Sequence, residues 1–155
     1  MVDLRRHSFG STAGITTSMG LIAGLNATAA MKVTVLASLL IVGVADNLTD
    51  ALAIHVYQES EGLAEPQAFR STIANFLTRL VVTISFLTVV MLTPESIVVP
   101  LALAWGLTLL SGLSYLLARV RAVSAWAQMF RHAVVAVAVI LISRLIGKWI
   151  LTWTH

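Results

Sequence analysis

Asp46, Asn47 and Asp50 lie in the middle of an otherwise apolar stretch, and Tyr57, Gln58 and Glu61 follow at its polar end. A carboxylate at the centre of a membrane helix costs roughly 2.5–3.5 kcal/mol. Two of them one turn apart therefore call for a partner or a purpose. On a helix advancing about 100° per residue, Asp46, Asp50, Tyr57 and Glu61 fall within about 60° of one another. Asn47 and Gln58 lie about 100–120° from Asp46 on the same side. From Asp50 to Glu61 the strip is about 16 Å long at about 1.5 Å per residue. Carboxylates strung along one face, joined by hydroxyl and amide oxygens, suit two chemistries. A hard or borderline cation can shed its water onto them stepwise, or protons can be relayed along them.

The elements that must carry this strip are membrane helices. The 155-residue chain is 58% hydrophobic and only 11% charged, against about 25% charged residues in soluble domains. We expect an all-α polytopic membrane protein, a single membrane domain over residues 1–155 with five transmembrane helices. The apolar runs place these at about residues 10–25, 31–57, 71–93, 97–118 and 130–152. The polar stretch Tyr57 to Arg70 is expected to be a loop, and Thr93-Pro94-Glu95-Ser96 a tight turn. With the N-terminus cytoplasmic, that side collects Arg5, Arg6, Arg70, Arg119, Arg121 and Arg131. The other side then holds only Lys32 and Lys148, so the positive-inside rule puts the C-terminus opposite. Arg79 and Arg144 remain inside the spans.

Ten Lys and Arg against seven Asp and Glu fit topology and lipid contact, and no nucleic-acid partner is expected. The absence of cysteine excludes disulfides and thiolate metal sites. No nucleophile elbow, phosphate loop or metalloprotease helix is present, so the chain is not expected to be an enzyme, and it needs no resident cofactor.

Two further features bear on the strip. Thr16 and Met19, with Thr12, Ala23 and Asn26, share one side of the first span and offer a facing wall of hydroxyls and a thioether. Gly10/Gly14 and Gly20/Gly24 are small-xxx-small pairs that let helices approach closely. In the third span, Arg79 is about as far from the cytoplasmic end as Asp50 is in the second, about seven or eight residues. If the two helices are antiparallel neighbours, Arg79 is a structural partner for Asp50. Asp46 lies deeper, with no cation evident at its level, which makes it the stronger functional candidate.

With these residues in place, the chain resembles the vacuolar iron transporter family. Gly14-Ile15-Thr16 followed by Ala23-Gly24-Leu25 looks like that family's first-helix pattern. Ala51 to Glu61, ending in Glu59-Ser60-Glu61, is similar to the exit of its second helix, and Ile142-Ser143-Arg144-Leu145-Ile146-Gly147 to its last helix. The resemblance implies a homodimer of five-helix subunits that exports iron- or manganese-type divalent ions from the cytoplasm against protons. The pathway would run between the first two helices of each copy. The chain departs from the family where Ala13, Val42 and Asp50 replace an aspartate, a glutamate and a methionine. It also lacks the cytoplasmic metal-binding helices, as a divergent member would.

The resulting expectation is a proton-coupled metal transporter. Glu61, Gln58 and Tyr57 capture the ion, and Asp46, Asn47 and Asp50 bind it, with Thr16 and Met19 along the pathway. Proton and ion compete for the same carboxylates. The alternative is a non-transporting membrane protein whose buried Asp, Asn and Arg groups hold helices or subunits together.

Overall fold

A computed structural model describes the backbone of residues 4–153 and the side chains of residues 10–153. The described chain is all-helical: α1 (Leu4–Ala27), α2 (Lys32–Ser60), α3 (Glu65–Leu92), α4 (Val98–Arg121) and α5 (Ala125–Trp153). Helices satisfy every backbone polar group within the segment, which is what a bilayer demands of a spanning chain. Four of them, α2 to α5, are long and apolar enough to cross a membrane, and they mark the chain as a membrane protein. Their outer faces expose Leu48, Leu77, Leu116 and Leu141, an apolar surface suited to lipid.

Residues 57–70 are not the expected loop. Tyr57 to Ser60 finish α2 and Glu65 to Arg70 begin α3. The local chemistry explains the tight connection. Gly62 takes a left-handed φ of 78°, so Leu63 N–H reaches Gln58 O and Gly62 N–H reaches Glu59 O. That pair of bonds closes a helix end compactly. Pro66 in the first turn of α3, beside Glu65, then starts the next helix, where a missing N–H is harmless and a negative charge is favourable. The 93–96 turn is present as expected. Lys32 Nζ donates to Met91 O at 3.0 Å and Thr93 O at 2.7 Å, neutralising the end of α3.

α1 is the central helix. It touches each of the other four, whereas those touch only in the order α2–α3, α3–α4 and α4–α5. Among the described residues α2 and α5 do not meet, so the four outer helices form an arc around α1, open on one side. No residue of α1 from Gly10 to Leu25 is fully exposed. Its glycines set the approach distances. A methyl at Gly10 would come within 2.6 Å of the Asn75 carbonyl oxygen on α3, and one at Gly20 within 2.8 Å of Val139 on α5. The core is formed by Ile15, Met19 and Ile22 of α1 with Leu39, Phe86 and Leu110 of the arc.

Candidate functional site

The two aspartates of the strip converge on one arginine. Arg79 Nη1 donates to Asp50 Oδ2 and Nη2 to Asp46 Oδ2. The arginine side chain is 3% exposed, while Asp46 and Asp50 keep 46% and 37% of theirs open. The Asp50–Arg79 pair follows from the depth argument. Asp46 does have a cation at its level, contrary to the sequence expectation, because the planar guanidinium presents donors on two nitrogens. Those donors bridge carboxylates that a four-residue spacing holds about 5–6 Å apart. Two negative charges on one positive leave the cluster with one net negative charge.

The flank of α2 that carries them is defined. Val35 and Leu39, which join the core, lie on the same side of the helix as Asp46 and Asp50 within about 60°. On α1, Gly14 leaves the space in which Arg79 lies, since a methyl there would be 3.1 Å from Arg79 Cγ. The cluster is therefore bounded by α1, α2 and α3.

From the level of the cluster towards the end of the bundle that holds the 61–64 connection, α2 and α3 share a polar seam. Asn47 Nδ2 donates to Phe76 O at 2.9 Å, and Gln58 Nε2 donates to Ser71 Oγ at 2.8 Å. His55 lies 3.4 Å from Glu59 and 3.4 Å from the Thr72 hydroxyl. Several buried atoms in this region have no hydrogen-bond partner among the described residues: Asn47 Oδ1, Gln58 Oε1 and both amide atoms of Asn75.

The remaining expected site residues are not gathered at the cluster. Glu61 caps the end of α2, about 16 Å along the helix from Asp50, and Tyr57 is exposed. Thr16 turns its hydroxyl back to Thr12 O at 2.9 Å and Ala13 O at 3.2 Å, the usual habit of a threonine in a membrane helix. Met19 is fully buried, its sulfur filling the place of a side chain at Gly106 beside Phe86. Among the described residues no group of three or more His, Cys, Asp or Glu is placed to hold a metal ion. A cation at the cluster would have to use amide oxygens as well as carboxylates.

Sequence reasoning missed Asn75. It is an amide in an apolar span one turn before a buried arginine, and that spacing was the available signal. In the fold Ser114 donates to Leu110 O at 2.6 Å, and His132 Nδ1 lies 2.7 Å from the Ser114 oxygen, joining α4 to α5. No protein-family model, curated protein or solved structure matches the chain.

Proposed function

We propose that the chain is a five-span membrane transporter that exports a divalent cation of the iron or manganese type from the cytoplasm in exchange for protons. The observation that carries this reading is the half-open pair of carboxylates held by a single buried arginine. Such a cluster is stable when empty, yet retains a net negative charge and accessible oxygens for an arriving cation. An intramembrane ionisable group of this kind marks an ion or proton pathway more often than a structural accident. Protons and the cation then compete for Asp46 and Asp50.

In this reading α1 is the fifth span, with the N-terminus cytoplasmic and the C-terminus opposite. Its 24 residues are long enough, and enclosure by other helices removes the need for an apolar surface. The open side of the arc is where a second copy would seat, giving the homodimer that the family resemblance implies. A groove of about 410 Å³ between α1 and α5, lined by Thr17, Leu21 and Val139, runs along α1 beside that opening.

The test is Fe²⁺ and Mn²⁺ flux into proteoliposomes under an imposed pH gradient. Flux that Asp46→Asn or Asp50→Asn abolishes is expected. Folded protein that moves neither ion sinks the proposal.

One observation favours a second reading, a non-transporting protein held together by this cluster. Arg79 is almost wholly buried and engages both aspartates, so it ties α3 to α2 at two points. Normal flux through Asp46→Asn and Asp50→Asn would count against both carboxylates as the transport site and leave them this role.

A further inference from the structure

Asn75 is 2% exposed, and among the described residues neither its Oδ1 nor its Nδ2 has a hydrogen-bond partner. Buried amides are normally satisfied, and one that is not requires an explanation. Asn75 and Arg79 belong to the same buried face of α3, four residues apart, where side chains are neighbours. Helical side chains lean towards the N-terminus of their helix, so Arg79 leans over Asn75. On the facing helix, Gly10 lies against Asn75 and Gly14 against Arg79, and neither glycine puts a side chain between them.

An arginine that yields its carboxylates to a cation cannot remain buried without an acceptor, because an unpaired buried charge is among the costliest arrangements in a protein. Among the described residues, three unpartnered buried side-chain oxygens lie along this part of the bundle. Gln58 Oε1 belongs to a side chain tied to Ser71, two turns from Arg79 and about 12 Å along α3. Asn47 Oδ1 is on α2 beside the carboxylates themselves. Asn75 Oδ1 is the one left on the same buried face of α3, one turn from Arg79.

We propose that Asn75 is the second resting place of Arg79. When a divalent cation takes the Asp46 and Asp50 carboxylates together with Asn47 Oδ1, the displaced guanidinium turns onto Asn75 Oδ1. This rests on the cation-site reading above and adds to it a positioning residue on α3 and a third oxygen donor on α2. The two orphaned oxygens thereby acquire one explanation. In the empty state both wait, and in the loaded state one accepts from the arginine and the other binds the ion. Asn75 lowers the stability of the empty protein and favours the loaded one.

That opposition of signs is testable on purified, detergent-solubilised protein with Mn²⁺ as the probe, by calorimetric titration and cation-free melting. Asn75→Leu, close in shape but without polar atoms, is expected to bind Mn²⁺ about tenfold or more weakly, the scale of a lost charge-assisted hydrogen bond. The same variant is expected to melt at a higher temperature than the native protein without cation. A lower melting temperature, whatever the affinity, marks a structural amide and overturns the proposal. Asn75→Asp is the second arm, should the leucine variant fail to fold. A carboxylate there draws the guanidinium away from Asp46 and Asp50, so Mn²⁺ should bind more tightly, and unchanged or weaker binding overturns the proposal. Native protein that binds no Mn²⁺ would sink the cation site itself. Native binding matched by both variants would sink the role of Asn75 alone.

Discussion

At the scale of residues, the geometry of the cluster makes its three members unequal under substitution. Asp46→Asn or Asp50→Asn leaves Arg79 paired with the other carboxylate. Each change should lower stability by no more than about 1 kcal/mol, as for a half-exposed ion pair. Arg79→Leu removes the shared cation and strands two carboxylates one turn apart, with an expected loss near the lower end of about 3–5 kcal/mol because both retain some exposure. The triple variant, combining Asp46→Asn and Asp50→Asn with Arg79→Leu, should recover most of that loss, since no charge remains to be compensated. Unfolding in detergent measures all four proteins. A severe loss in either single asparagine variant would mean that the arginine is not shared. The Asp50–Arg79 pair was legible by counting residues from the ends of two antiparallel spans. The Asp46 contact was not, because a count treats arginine as a point, whereas its fork reaches across a helical turn. The orphaned state of Asn75 lay beyond the sequence for a different reason. An amide is orphaned only by what its neighbours fail to offer, and the neighbours come from α1.

At the scale of elements, the glycines of α1 were recognisable as packing residues from their four-residue spacing, but their partners were not. The fold divides them, with Gly10 and Gly14 against α3 and Gly20 and Gly24 against α5. The reciprocal glycine on α5, Gly147, lies against the backbone of Gly24 and the Ala27 side chain. A methyl at position 147 would meet a carbonyl oxygen that cannot move without displacing a helix. Gly147→Ala should therefore destabilise by about 1–3 kcal/mol, the cost of overpacking. Gly112 on α4 faces open space, so Gly112→Ala should be neutral or stabilise by up to about 1 kcal/mol through helix propensity. Comparing the two variants by thermal unfolding separates close approach from propensity. Equal effects would place α5 further from α1 than the fold has it. The same packing explains why α1 reads as weakly apolar. A helix surrounded by protein fills its surface with small residues that admit neighbours, and the large apolar side chains belong to helices that face lipid.

At the scale of the whole molecule, the number of crossings turns on α1, which has the length of a span without its hydropathy. The arrangement of the arc bears on this. A helix that touches all four apolar helices and has no fully exposed residue between Gly10 and Leu25 is largely shielded by them along that length. That packing is what the proposed fifth span requires. Five crossings then put the N-terminus and the 61–64 connection on one side, with the 28–31 connection on the other. By the positive-inside expectation the first side is the cytoplasmic one. The chain has no cysteine, so single cysteines introduced at Val2, Ala30 and Glu61 report directly. In right-side-out vesicles, a membrane-impermeant maleimide added outside should label only Ala30→Cys. After permeabilisation, Val2→Cys and Glu61→Cys should react as well. If Val2→Cys and Ala30→Cys label from the same side, α1 does not cross. A four-span chain would place both of its ends on one side, and the carboxylate cluster would then have to be approached from elsewhere. The outcome also constrains the chemistry. A crossing α1 walls the Asp46–Arg79–Asp50 cluster away from water on a third side, and only then must an arriving cation exchange its hydration for the oxygens of α2.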